Sequence, residues 1–153
     1  GLDAGVIAVN ARNKTITFAG AKLSLFLIWG DEMEIVKGSR QSLGYRKSDL
    51  NYQYPNKVIP INDRMACYLT SDGYVDQTGG PQSFPFGNRR LKRLLLDNVN
   101  RPMDEQKEIL LQAYETYRGE MERLDDLSMI GFGLSPGHLE ELCAIWALDK
   151  PKQ

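Results

Sequence analysis

At 153 residues, 42% hydrophobic and 25% charged, the chain has the composition of one globular domain with enough apolar material for a core. Nineteen basic residues against twenty acidic ones provide no field to attract nucleic acid or a membrane surface. No apolar run approaches the roughly 20 residues of a membrane span, and the first residues do not read as a signal peptide.

The first seventy residues read as β structure. Val6 to Val9 is a short apolar run, Asn10 to Lys14 is turn chemistry, and Thr15 to Ala19 alternates at period two, so the two runs pair as a hairpin. Leu23 to Trp29 is another strand, turned by Gly30-Asp31 into a second hairpin with Glu32 to Val36. Gly38 to Asn51 is polar and reads as a loop. Gln53 to Ile61, broken by Pro55 and Pro60, reads as a strand, and Asn62-Asp63 turns the chain into the most apolar strand, Met65 to Thr70.

The character then changes. Gly79 to Gly87 is loop, and from Asn88 the spacing is helical, with Leu91, Leu94 and Leu95 on one face. Arg89, Arg90, Lys92 and Arg93 fall on this helix as a solvated basic face. A second helix runs from about Met103 to Met121, with Ile109, Leu110, Ala113, Tyr114 and Tyr117 facing inward. Leu127 to Phe132 returns as a buried strand. Ser135-Pro136 starts a last helix, with Ser as cap and Pro at the first helical position, running to about Leu148 with Leu139, Leu142, Cys143 and Trp146 on one side. Strands first and helices later, with one strand returning, argue for an α+β fold with a mostly antiparallel sheet.

Cys67 in a strand and Cys143 in a helix suggest reduced core thiols and a cytoplasmic protein. His138, beside Pro136 and Gly137, supplies neither a zinc site nor a catalytic dyad, and reads as a helix-start residue. The candidate chemistry lies in carboxylates. Asp72 follows the Met65 to Thr70 strand and precedes Gly73, while Asp125 and Asp126 precede the returning strand by one turn. With the two strands as neighbours, these carboxylates converge, and converging carboxylates repel unless a cation such as Mg²⁺ or Mn²⁺ sits between them. Asp-Gly is also a common turn, so spacing alone leaves a turn reading open.

Several segments resemble a known family. Thr17-Phe18-Ala19-Gly20-Ala21-Lys22, then Ser42-Leu43-Gly44, then Ser71-Asp72-Gly73-Tyr74-Val75-Asp76-Gln77-Thr78-Gly79-Gly80 are similar to successive signatures of SpoIIE/RsbU-type bacterial serine phosphatases, a branch of the 2C-like metal-dependent superfamily. Arg123 to Gly131 resembles the closing motif, and Gly1-Leu2-Asp3 resembles the strand that opens the second half of that domain. The resemblance covers roughly residues 1 to 133. It implies half of an αββα sandwich, with helices on one face, and leaves residues 134–153 as a C-terminal helical extension. It also implies two-metal chemistry, in which two cations activate a water that attacks phosphorus in line, with no protein nucleophile. By motif, Asp72 and Asp125 would be metal ligands and Gly73 would allow close backbone approach. Asp126 would either support the ligands from behind or serve as a turn residue, while Asp76 and Gln77 read as capping the turn after the strand.

The chain departs from the family upstream. The first metal-binding Asp and the Asp-Gly pair between the metals have no counterpart, since Asp31, Asp49 and Asp63 all fall in turns of the wrong context. The expectation is therefore the C-terminal part of a phosphatase domain. Its function would be metal-dependent hydrolysis of phosphoserine or phosphothreonine in a bacterial signalling protein of the anti-sigma-factor-antagonist type. Its partners would be that phosphoprotein, the upstream half of the domain and a second copy in a homodimer, with no nucleic acid and no membrane contact. Any membrane anchor of the parent protein would lie upstream. The competing reading is a degenerate phosphatase-fold module that regulates by protein–protein binding without catalysis.

Overall fold

A computed structural model describes residues 1–44, 49–137 and 139. The fold is α+β, built from antiparallel sheets with helices on one side. Strand β1 (Ala4–Asn10) pairs with β2 (Thr15–Ala21) in the first hairpin, and β5 (Lys57–Pro60) pairs with the other edge of β2. The second sheet has the order β4-β3-β6-β9, with β3 at Leu25–Trp29, β4 at Glu32–Val36, β6 at Met65–Thr70 and β9 at Met129–Leu134. Both predicted hairpins form, and β6 is the strand expected. Only the Lys57–Pro60 part of the expected Gln53 to Ile61 strand pairs with a neighbour. Proline contributes no amide to a ladder, and here Pro55 lies outside the strand while Pro60 ends it.

The second sheet is the middle of three layers, which explains the continuous apolar runs of β3 and β6. Leu25, Leu27, Met65 and Cys67 point to one side, where they pack with Ile16 and Phe18 of β2. The alternate residues Phe26, Ile28, Ala66 and Tyr68 point to the other, against the helices. A strand covered on both faces has no polar side to present, so its period-two signal disappears.

The helical layer consists of α1 (Gly73–Asp76), α2 (Gly87–Asn98) and α3 (Met103–Arg118). Leu91 and Leu95 of α2 and Leu110 and Tyr114 of α3 are buried against the middle sheet. The expected loop after Gly79 contains a short ladder, β7 (Thr78–Gly79) with β8 (Phe84–Pro85), packed beside α3. Arg93 makes an exposed ion pair with Asp97, and the Arg90 guanidinium lies 5.0 Å from the centre of the Tyr117 ring.

The returning strand corrects one expectation. β9 pairs with β6 but is not buried: Ile130 is 63% exposed and Gly131 and Gly133 are exposed. It is the edge of its sheet, so only the side chains facing the helices or the other sheet are covered. Pro136 begins a helical turn, and the Leu139 amide donates to the Ser135 carbonyl at 3.3 Å. The expectations for Leu142, Cys143, Trp146 and His138 lie outside the described residues. No helix among the described residues is long and apolar enough to cross a membrane.

Candidate functional site

The pairing of β6 with β9 sets the site. The strands run antiparallel with Thr70 opposite Met129, so the end of β6 that leads to Asp72 lies beside the start of β9, which Asp125 and Asp126 precede. The sequence reading required these strands to be neighbours, and they are.

Three local devices hold the two motifs together. A Cβ placed on Gly73 would lie 2.4 Å from the Asp126 carbonyl oxygen, so the backbones approach as only glycine permits. The Ser71 hydroxyl donates to the Asp126 carbonyl at 2.9 Å and accepts from the Ser128 amide at 3.0 Å. The Ser71 amide donates to the Ser128 carbonyl, extending the ladder by one step beyond β6.

The third device is Gln77, and it overturns the turn-capping expectation. Its side chain is fully buried. Its Oε1 accepts from the Tyr114 hydroxyl at 2.8 Å and the Leu124 amide at 3.3 Å, while its Nε2 donates to the Thr78 and Glu122 carbonyls, both at 3.0 Å. A single carboxamide thus clamps the segment leading into Asp125 onto α3. That segment is exposed from Glu120 to Asp126 and lies between α3 and β9, so these bonds fix its course. Gln106 does a similar job: it accepts from the Tyr68 hydroxyl at 2.6 Å and donates to the Val99 and Arg101 carbonyls. Sequence reasoning missed Gln106 and misassigned Gln77. One signal was present, because Gln106, Leu110 and Tyr114 recur at intervals of four and occupy one buried stripe of α3.

The carboxylates themselves face solvent. Asp72 occupies the position before α1; its carbonyl accepts from the Val75 and Asp76 amides, but its side chain makes no capping bond. Its carboxylate is exposed and has no hydrogen-bond or ion-pair partner among the described residues. Asp125 is exposed, and its Oδ1 accepts from the Asp126 amide at 2.7 Å. Asp126 is also exposed, and its backbone carbonyl serves Ser71. Asp76 is exposed at the end of α1. The oxygen chemistry of Asp72 and Asp125 suits a hard cation. The donor count does not suffice, because no three His, Cys, Asp or Glu side chains among the described residues are grouped to hold a metal ion.

This arrangement of sheets and helices matches solved PP2C-type phosphatase domains. The chain is part of such a domain. It superposes on the SiaA-PP2C domain of Pseudomonas aeruginosa with a TM-score of 0.80 and 34% identity, over 87% of this chain and 52% of that one. The phosphatase domain of the cell fate determinant SpoIIE from Bacillus subtilis matches with a TM-score of 0.64 at 12% identity, over 99% of this chain and 61% of that one. A SpoIIE structure that includes a fragment of the regulatory domain matches with a TM-score of 0.68 at 15% identity, over 86% of this chain and 37% of that one. At such identities the SpoIIE likeness concerns the fold alone. The chain therefore spans about half the length of the SiaA-PP2C domain it matches. No family model and no curated protein matches it.

Proposed function

We propose that this chain supplies one half of the active site of a metal-dependent phosphatase acting on phosphoserine or phosphothreonine of a bacterial signalling protein. The observation that carries the reading is the backbone contact of Gly73 with Asp126, which brings the Asp72 and Asp125 motifs together at one end of the sandwich. The 34% identity to the SiaA-PP2C domain supports phosphatase chemistry in general.

In this reading Asp72 and Asp125 contribute carboxylate oxygens to Mn²⁺ or Mg²⁺, and the remaining donors come from the upstream half of the domain. Bound divalent ions supply a water of lowered pKa and neutralise phosphoryl charge. The chain's own part is to orient these carboxylates: Gly73 by close approach, Ser71 and Gln77 by hydrogen bonds to the 122–128 segment, and Asp126 through its backbone. The substrate is a phosphoprotein of the anti-sigma-factor-antagonist kind, met in the cytoplasm, and a homodimer is the other arrangement that could complete the site. A regulatory module without catalysis is the second reading, favoured by the absence of a three-donor group among the described residues.

The test is hydrolysis of p-nitrophenyl phosphate with and without Mn²⁺, by this chain and by one extended upstream of Gly1. The extended chain should turn over only with Mn²⁺, and Asp72→Asn should reduce its kcat at least a hundredfold, about 3 kcal/mol of barrier. The shorter chain should show little activity. Silence of the extended chain would sink the enzyme reading in favour of the regulatory one.

A further inference from the structure

A separate cavity of about 300 Å³ is bordered by Lys37, Arg40, Lys57 and Tyr52, with Gly20 and Gly38 among its other lining residues. Its walls are tied together by backbone. The Ser39 amide donates to the Gly20 carbonyl at 2.7 Å and the Lys22 amide to the Ser39 carbonyl at 2.8 Å, locking the segment after β4 onto the end of β2. Neither Gly20 nor Gly38 could carry a side chain there, because an added Cβ would fall 2.3 Å and 2.1 Å respectively from the Leu23 carbonyl oxygen. Lys57 arrives from the neighbouring strand, opposite Phe18. Tyr52 stacks edge-on against Tyr54, whose hydroxyl donates to the Ser42 carbonyl.

Lys37, Arg40 and Lys57 are exposed, and none forms an ion pair among the described residues. On a chain of net charge −1, three unpaired cations around one concavity are a local excess that an anion would relieve. The cavity also lies at the same end of the sandwich as the acidic motifs. Val36, Leu25, Leu69 and Ile130 form one row across β4, β3, β6 and β9, and Lys37 follows that row as Asp72 does. β4 and β6 are separated by two strand spacings, about 10 Å, which an extended peptide covers in about three or four residues.

We propose that Lys37, Arg40 and Lys57 form an oxyanion subsite for the phosphoprotein substrate. It takes an acidic side chain, carboxylate or second phosphate, three or four residues from the phosphorylated one. The proposal rests on the phosphatase reading for the direction of the peptide, but its binding test does not need turnover. Synthetic phosphoserine peptides carrying Glu, phosphoserine or Ala four residues away would be titrated calorimetrically into the chain, its Asp72→Asn variant and a Lys37→Met/Arg40→Gln/Lys57→Met variant. The Glu peptide should bind about fivefold tighter than the Ala peptide, with the advantage shrinking as salt is added. A larger advantage for the second phosphoserine would mark phosphate as the preferred oxyanion, and equal gains would mark general charge recognition by the same subsite. The advantage should vanish in the triple variant and survive both Asp72→Asn and Lys107→Met, a surface cation elsewhere. Equal affinity for the Glu and Ala peptides, no binding of any peptide, or an advantage that persists in the triple variant would overturn the proposal. Retained preference without phosphatase activity in the extended chain would instead sink the enzyme reading and leave the subsite standing.

Discussion

Gln77 is the residue on which the course of the acidic segment depends most directly, because four hydrogen bonds converge on one buried carboxamide. Replacing it with Leu leaves the Tyr114 hydroxyl, the Leu124 amide and the Thr78 and Glu122 carbonyls without that partner. Of these the Tyr114 bond is the buried one, and an orphaned buried group costs about 1–3 kcal/mol. The expected outcome is a loss of at least about 2 kcal/mol in urea unfolding, with faster amide exchange at Leu124; an unchanged Leu124 amide would refute the clamp. Gly73→Ala should destabilise by about 1–3 kcal/mol, because the new methyl meets backbone that cannot swing away; wild-type stability would show that the Asp126 contact is loose. Burial sets the protonation of three core groups. It pushes the Cys67 thiol from 9.0 to about 12 and the Tyr68 phenol from 10.0 to about 12, and it raises Tyr74 as well. From about pH 9 to 12 the unfolded chain releases protons that the folded chain keeps, so stability falls as pH rises through that window. Below pH 9 these groups are protonated in both states and impose no slope. Melting temperatures should therefore decline above pH 9, and Cys67 should resist alkylation until the protein unfolds.

At the scale of elements, β6 and α3 carry most of the organisation. β6 contributes to both cores and leads into Asp72, while α3 supplies the tyrosine that anchors Gln77. β9 is different, since it brings Asp125 and Asp126 into place yet remains an exposed edge. Ile130→Lys in this chain should change stability by no more than about 0.5 kcal/mol, as expected of a surface position. A loss of several kcal/mol would mean that the strand is covered, by a second copy or otherwise. The expectation of burial for Leu127 to Phe132 came from its apolar character, which reports what a strand can bury but not whether a neighbour is present to bury it.

At the scale of the whole molecule, the described residues form a two-sheet sandwich with one helical layer, and the outer face of the β1-β2-β5 sheet carries exposed apolar side chains. Val6 and Val58 are 63% and 67% exposed, on the face opposite Ile16 and Phe18. The two hairpins, the apolar β6, the helices α2 and α3 and the α+β class were legible in the chain itself, because each is written in local spacing and turn chemistry. The sequence also carried the resemblance to SpoIIE-type phosphatases through Asp72-Gly73 and Asp125-Asp126. What it could not express was any relation between distant segments. That β6 neighbours β9, that Gly73 rests on the Asp126 carbonyl, that Gln77 reaches Leu124, and that Lys37, Arg40 and Lys57 meet around one cavity are products of strand order. Such relations arise only when the chain folds, because hydrogen bonds and close contacts between residues tens of positions apart leave no period in the sequence.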